Sequence, residues 1–104
     1  MSFDVRFSEV ALADLIRLHD HLLDLAQSIE DWRIADRAVD EIEVTCKAQL
    51  ARTPYLFRKI GKSSTRRELV IPFGATGYVA LYEITSAASV VVLAVRHQLE
   101  DDFH

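Results

Sequence analysis

Glu68-Leu69-Val70-Ile71-Pro72-Phe73, Gly74-Ala75-Thr76-Gly77, Tyr78-Val79-Ala80-Leu81-Tyr82-Glu83-Ile84, Thr85-Ser86-Ala87-Ala88-Ser89 and Val90-Val91-Val92-Leu93-Ala94-Val95 follow one another without interruption, and this stretch decides the fold. Three runs rich in branched and aromatic residues alternate with two groups of turn formers, which predicts three strands in an antiparallel meander. The charge-free run 90–95 has the composition of a central strand buried on both faces. Pro72 has no N–H to give to a ladder, so the end of its strand belongs at an edge or bulge.

Upstream, the periodicity changes. Leu12, Leu15, Ile16, His19, Leu22, Leu23 and Ala26 recur at spacings of three and four after Ser8, a good N-cap, and predict an amphipathic helix over about 9–27 with Asp14, Arg17, Asp20, His21 and Asp24 on its outer face. A break around Gln27–Asp31 leads to a second helix. Its stripe is Trp32, Ala35, Val39, Ile42, Cys46 and Leu50, and Thr53-Pro54 ends it because a residue before proline is pushed out of helical geometry. His19 and Cys46 both fall on apolar stripes and read as core residues rather than as a ligand and a reactive thiol. Ahead of the helices, Phe3, Val5 and Phe7 alternate with Asp4 and Arg6 as a short first strand. The order β-α-α-β-β-β predicts a single α+β domain over 1–104, an antiparallel helical hairpin covering one face of a largely antiparallel sheet.

The chain has 104 residues, with 12 Lys and Arg against 16 Asp and Glu. A formal charge of −4 discourages a nucleic-acid partner, but the sum conceals its distribution. Residues 1–51 carry five cations and eleven anions, residues 52–67 carry six cations and no anion, and residues 68–104 carry one cation and five anions. Charges at Asp4 and Arg6 interrupt any apolar leader, and the longest charge-free run, 69–82, has 14 residues and contains Pro72, Gly74 and Gly77. One cysteine forms no internal disulfide. The expectation is a cytoplasmic protein that does not enter membranes.

Chemistry is sparse. The chain has no Gly-x-Ser-x-Gly, no phosphate-cradling glycine pattern and no Cys/His zinc spacing, so no cofactor, metal or catalytic residue is assigned. His97, Glu100, Asp101, Asp102 and His104 match no standard metal site, and a terminal run of charges reads as a solvated tail. The region 52–67 lacks periodicity and reads as a long functional loop, with Tyr55 and Phe57 among its cations. Arg58, Lys59, Lys62, Arg66 and Arg67, together with Arg96 and His97 at the end of the last strand, are therefore the candidate partner-binding residues for an anionic ligand: RNA, DNA or an acidic peptide.

Several of these segments carry a resemblance. The short first strand, the acidic helical hairpin, the link Arg52-Thr53-Pro54-Tyr55, the run Arg67-Glu68-Leu69, then Gly77-Tyr78-x-x-Leu81-Tyr82-Glu83-Ile84 and Val91-Val92-Leu93-Ala94-Val95-Arg96-His97-Gln98 resemble the RelE/ParE superfamily of type II toxin–antitoxin toxins over nearly the whole chain. The ending Arg-His-Gln-x-Glu-Asp-Asp-aromatic is most similar to ParE-type members. The resemblance implies a toxin neutralised by a cognate, ParD-like antitoxin in a hetero-oligomer. For ParE-type members it implies DNA gyrase as target, a block to replication and a role such as plasmid stabilization. For RelE-like members it implies ribosome-dependent cleavage of mRNA by a metal-independent endoribonuclease. This chain departs from the nuclease pattern at two places. Gly77-Tyr78-Val79 stands where those enzymes have Gly-Tyr-Arg, and Phe103-His104 stands near their catalytic tyrosine. An altered nuclease would have to use His104 as acid or base, with Lys59, Lys62, Arg66, Arg67, Arg96 and His97 stabilising phosphate charge.

Overall fold

A computed structural model describes residues 2–100. β1 (Asp4–Phe7) is followed by α1 (Glu9–Leu25) and α2 (Ile29–Arg52), then β2 (Arg58–Lys59), β3 (Arg66–Phe73), β4 (Thr76–Ser86) and β5 (Ser89–His97). The α+β order and the three-stranded meander are as the sequence predicts. The strands form one mixed sheet in the order β1-β5-β4-β3-β2. All pairings are antiparallel except β1 with β5, which are parallel with Asp4 opposite Ser89 and Phe7 opposite Val92.

Ser8 joins the first two elements. Its N–H donates to Val92 O at 2.9 Å, its hydroxyl donates to Leu93 O at 3.0 Å, and the same oxygen accepts from Ala11 N–H at 3.1 Å as the N-cap of α1. The strand is thus pinned to β5 at the residue where the helix begins. α2 starts earlier than the hydrophobic stripe suggests. Ser28 accepts from Asp31 N–H at 3.1 Å while Asp31 accepts from Gln27 N–H at 3.0 Å, a reciprocal cap written in the sequence as Ser28-Ile29-Glu30-Asp31. Thr53 closes the helix with its N–H on Gln49 O at 2.9 Å.

Two glycines act at the first hairpin. Phe73 pairs with Thr76, so the turn is Gly74-Ala75, and Gly74 takes φ +61° as its first central residue. Gly77, opposite Pro72, has no room for a side chain, since a Cβ there would lie 2.4 Å from Ile71 O. The two residues that the sequence reading gave to the turn, Thr76 and Gly77, therefore belong to β4.

The helical hairpin packs on one sheet face. Leu15, Leu18, Ile42, Cys46 and Leu50 meet Leu69, Ile71, Tyr82, Val90, Val92 and Val95, all buried. Burial pushes the Cys46 thiol up to about 12, assisted by Glu43, which keeps it protonated and inert. Several expectations change here. Leu12, Ile16 and Trp32, assigned to buried stripes, are exposed. A helix on a sheet buries a narrower arc than a helix inside a bundle, and Ala11, Ala35 and Ala38 take the closest positions. β5 is an interior strand, between β1 and the central β4, but only Val90, Val92, Ala94 and Val95 are buried; Val91 and Leu93 are half-buried because, among the described residues, no helix covers the second face. His19 is half-buried and ties α1 to α2, its Nε2 lying 2.7 Å from Asp36 Oδ1.

Asp14 is the largest departure. Placed by helical spacing on the outer face, it is instead 4 % exposed and accepts from Val95 N–H at 2.8 Å, with Arg17 Nε 3.7 Å away. β4–β5 pairing shifts register beside Leu81 and Tyr82, which inserts an extra residue in β5 just before Ala94. The Asp14 carboxylate answers an N–H near this irregularity that water does not reach. Asp14→Ala is expected to lower stability by about 1–3 kcal/mol by leaving that donor unpaired, and Asp14→Asn by less than half as much because an amide oxygen still accepts. Urea unfolding with unchanged m-value checks both.

Candidate functional site: the basic segment and the uncovered sheet face

The cationic region is built on β2, β3 and the turns around them. The segment 52–67 is not a free loop. Arg58 and Lys59 form a two-residue edge strand opposite Glu68 and Arg67, Ile60 N–H donates to Arg66 O at 2.9 Å, and Gly61 takes φ +60° to turn the chain back. Without apolar alternation such a strand leaves no periodic signal, and it forms only because β3 offers an open edge.

Arg67 holds the segment in place. Its guanidinium is turned inward at 7 % exposure and donates to Tyr55 O and Phe57 O at 2.8 Å each and to Ser64 O at 3.1 Å, with its carbon 5.4 Å from the centre of the Tyr55 ring. Tyr82 adds a second tie from the sheet, its hydroxyl donating to Pro54 O. Burial pushes that phenol up to about 12, partly offset by the Arg67 charge. A guanidinium satisfied by three backbone carbonyls is a structural element. Arg67 is therefore removed from the outward-facing set that the charge pattern suggested.

The other candidates separate into two ends of the sheet. Arg66 pairs with Glu83 in register, and its Nε lies 3.3 Å from that carboxylate. Arg58 reaches Glu68, and Arg96 Nη2 lies 3.9 Å from the other oxygen of Glu68. Arg96 pairs across β4 with Val79, and Val79 with Val70, so Arg96 stands four residues further along β3 than Arg66. Its Nη1 donates to the carbonyls of His97, Gln98 and Glu100.

His97 lies apart from this face. In register with Tyr78, it stacks edge-on against that ring at 5.5 Å and borders a cleft of about 470 Å³ with Arg17, His21 and Leu25 of α1 and Leu99 of the turn after β5. Leu99 N–H donates to Nδ1 at 3.1 Å, so the ring proton is on Nε2, 3.0 Å from Thr76 Oγ1. Glu100, accepting from His97 N–H at 2.9 Å and facing Arg17 at 3.3 Å, completes the turn. Of the metal-like cluster read from the sequence, Asp101, Asp102 and His104 lie outside the described residues, as does Phe103.

Arg52, Lys59 and Lys62 are exposed, and their side chains make no hydrogen bond or ion pair among the described residues. The six-cation segment thus reduces to three uncompensated charges, two of them on the edge hairpin. Truncating the buried staple, Arg67→Ala, is expected to lower stability by about 2–4 kcal/mol. Arg66→Ala, which breaks only a partly exposed pair, should change it by no more than about 0.5 kcal/mol. Thermal unfolding of the two variants side by side tests the division.

Comparisons with known proteins agree with this architecture. A family model described as "ParE toxin of type II toxin-antitoxin system, parDE" matches residues 5–102. The chain is 42 % identical over 90 residues to Toxin RelE3 of Caulobacter vibrioides, covering 86 % of this chain and 88 % of that protein. Its fold superposes on a solved chain titled "Chromosomal ParDE TA system from P. aeruginosa" with a TM-score of 0.69 and 16 % identity, covering 91 % of this chain and 95 % of the other. The chain belongs to the ParE toxin family of type II toxin–antitoxin systems, within the RelE/ParE superfamily.

Proposed function

We propose that this toxin acts on DNA gyrase in the cytoplasm, trapping the enzyme with its DNA cleaved and so blocking replication, and that a cognate ParD-like antitoxin neutralises it. The observation that carries this reading is the state of the uncovered sheet face. A ribonuclease of this superfamily needs cations and a proton-transfer group directed at a phosphodiester. Here Arg58 and Arg96 meet Glu68, Arg66 meets Glu83, Arg67 faces inward, and Val79 occupies the position of the nuclease arginine. Those charges leave the face poorly suited to a scissile phosphate. Arginine pairs around aliphatic side chains suit a protein surface better.

The RelE name of the Caulobacter relative favours the second reading, a ribosome-dependent mRNA endoribonuclease. On that reading Lys59 and Lys62 would supply the phosphate contacts. Purified toxin incubated with gyrase and supercoiled plasmid is expected to accumulate DNA breaks that detergent and protease reveal, while mRNA on translating ribosomes stays intact. Cleavage of mRNA, or toxicity that persists in a gyrase-resistant strain, would overturn the gyrase reading. Charge reversal at both Lys59 and Lys62 is expected to weaken gyrase inhibition by about tenfold and to flatten its salt dependence, without a change in the thermal midpoint.

A further inference from the structure

The strand register lays out the uncovered sheet face row by row. One row reads Arg6, Val91, Glu83 and Arg66 across β1, β5, β4 and β3. The next reads Arg58, Glu68, Leu81 and Ala94 across β2, β3, β4 and β5, and the third reads Val70, Val79 and Arg96. Neighbouring side chains in a row are about 5 Å apart, close enough for charges to act directly on one another. Every arginine on the face has a carboxylate within ion-pair reach: Arg6 has Asp4 at 2.7 Å, Arg66 has Glu83 at 3.3 Å, and Arg58 and Arg96 share Glu68.

The two glutamates are held more firmly than ordinary surface carboxylates. Glu68 is only 7 % exposed, although Glu is rarely buried without partners, and it takes an arginine on each oxygen. Glu83 is half-buried and accepts from the Thr65 hydroxyl at 3.4 Å as well as from Arg66. The arginines Arg58 and Arg66 are the exposed members, with side chains 70 % and 48 % accessible. The anions are thus fixed in the sheet, and the cations fold back onto them. A polyanion approaching this face meets arginines already paired and two negative charges seated behind them.

We propose that Glu68 and Glu83 are specificity-determining residues that keep the uncovered sheet face from binding RNA. The proposal rests on the reading that the target is a protein rather than messenger RNA, and it explains how an arginine-rich face avoids the cell's abundant nucleic acid. Val70, Leu81 and Val91 lie among the paired charges and are left as the contact surface for a protein partner.

The test uses the full chain and a fluorescent single-stranded RNA of mixed sequence, with anisotropy read at several salt concentrations. Glu83→Gln keeps the shape and the acceptor while removing the charge. It is expected to tighten RNA binding about tenfold at low salt and to steepen the slope of log affinity against log salt by about one phosphate contact, roughly 0.7. Glu68→Gln should do the same, and the double variant more. Glu41→Gln, on the outer face of α2, makes the same change in net charge and is expected to shift affinity less than about twofold. Equal gains from Glu41→Gln and Glu83→Gln, no gain from a folded Glu83→Gln, or wild-type binding as tight as the variant's would each overturn the proposal. If Glu68→Gln unfolds because its site is buried, Glu83→Gln alone decides. Gyrase is absent from this measurement. No DNA breaks with gyrase and no mRNA cleavage would therefore refute gyrase as the target while leaving the role of the glutamates standing, mRNA cleavage would overturn both, and failure here would refute the role of the glutamates alone.

Discussion

The helical hairpin buries Leu69, Ile71, Tyr82, Val90, Val92 and Val95 on one side of the sheet, and among the described residues no helix lies over the other side. Most of the molecule follows from that asymmetry. The covered side is dry enough to raise the Cys46 thiol and the Tyr82 phenol to about 12, and to require Asp14 as acceptor for Val95 N–H. The other side must face water without becoming an adhesive apolar sheet. It does so with Arg58, Glu68, Arg66, Glu83 and Arg96, whose paired charges interrupt Val70, Leu81 and Val91.

The same asymmetry changes what the basic segment means. Six cations without an acid in 52–67 look like a surface for an anion, because a sequence places charges in order along the chain and not across a sheet. Folding brings Glu68 and Glu83 opposite two of those arginines and turns a third inward to hold Tyr55, Phe57 and Ser64. What remains outward is a hairpin edge with Lys59 and Lys62, next to a face whose charges are already matched.

Much of the architecture was legible from local patterns. The turn chemistry of Gly74-Ala75, the period-two runs on either side of it and the three/four spacing in the helices each depend on residues close in sequence. Resemblance in the order of Arg67-Glu68-Leu69, Gly77-Tyr78 and Arg96-His97-Gln98 was enough to place the chain in its superfamily. The misread positions share one cause. Asp14, Trp32, Ile16 and Arg67 follow helical phase or charge in the sequence, and each depends on which neighbour arrives from a distant part of the chain: β5 for Asp14, the loop carbonyls for Arg67, and too little among the described residues to bury Trp32 and Ile16.

The sequence by itself determined the first strand, the two helices, the three-stranded meander, their order, the α+β class and the family, because backbone preferences and hydrophobic period are properties of short segments. Only the tertiary structure decided that β1 lies parallel to β5, that 58–59 becomes an edge strand, and that the arginines divide into a buried staple, paired members and, with the lysines of the edge hairpin, exposed ones. Pairing partners across a sheet are set by register, and register is settled when the hairpin has chosen the face it buries.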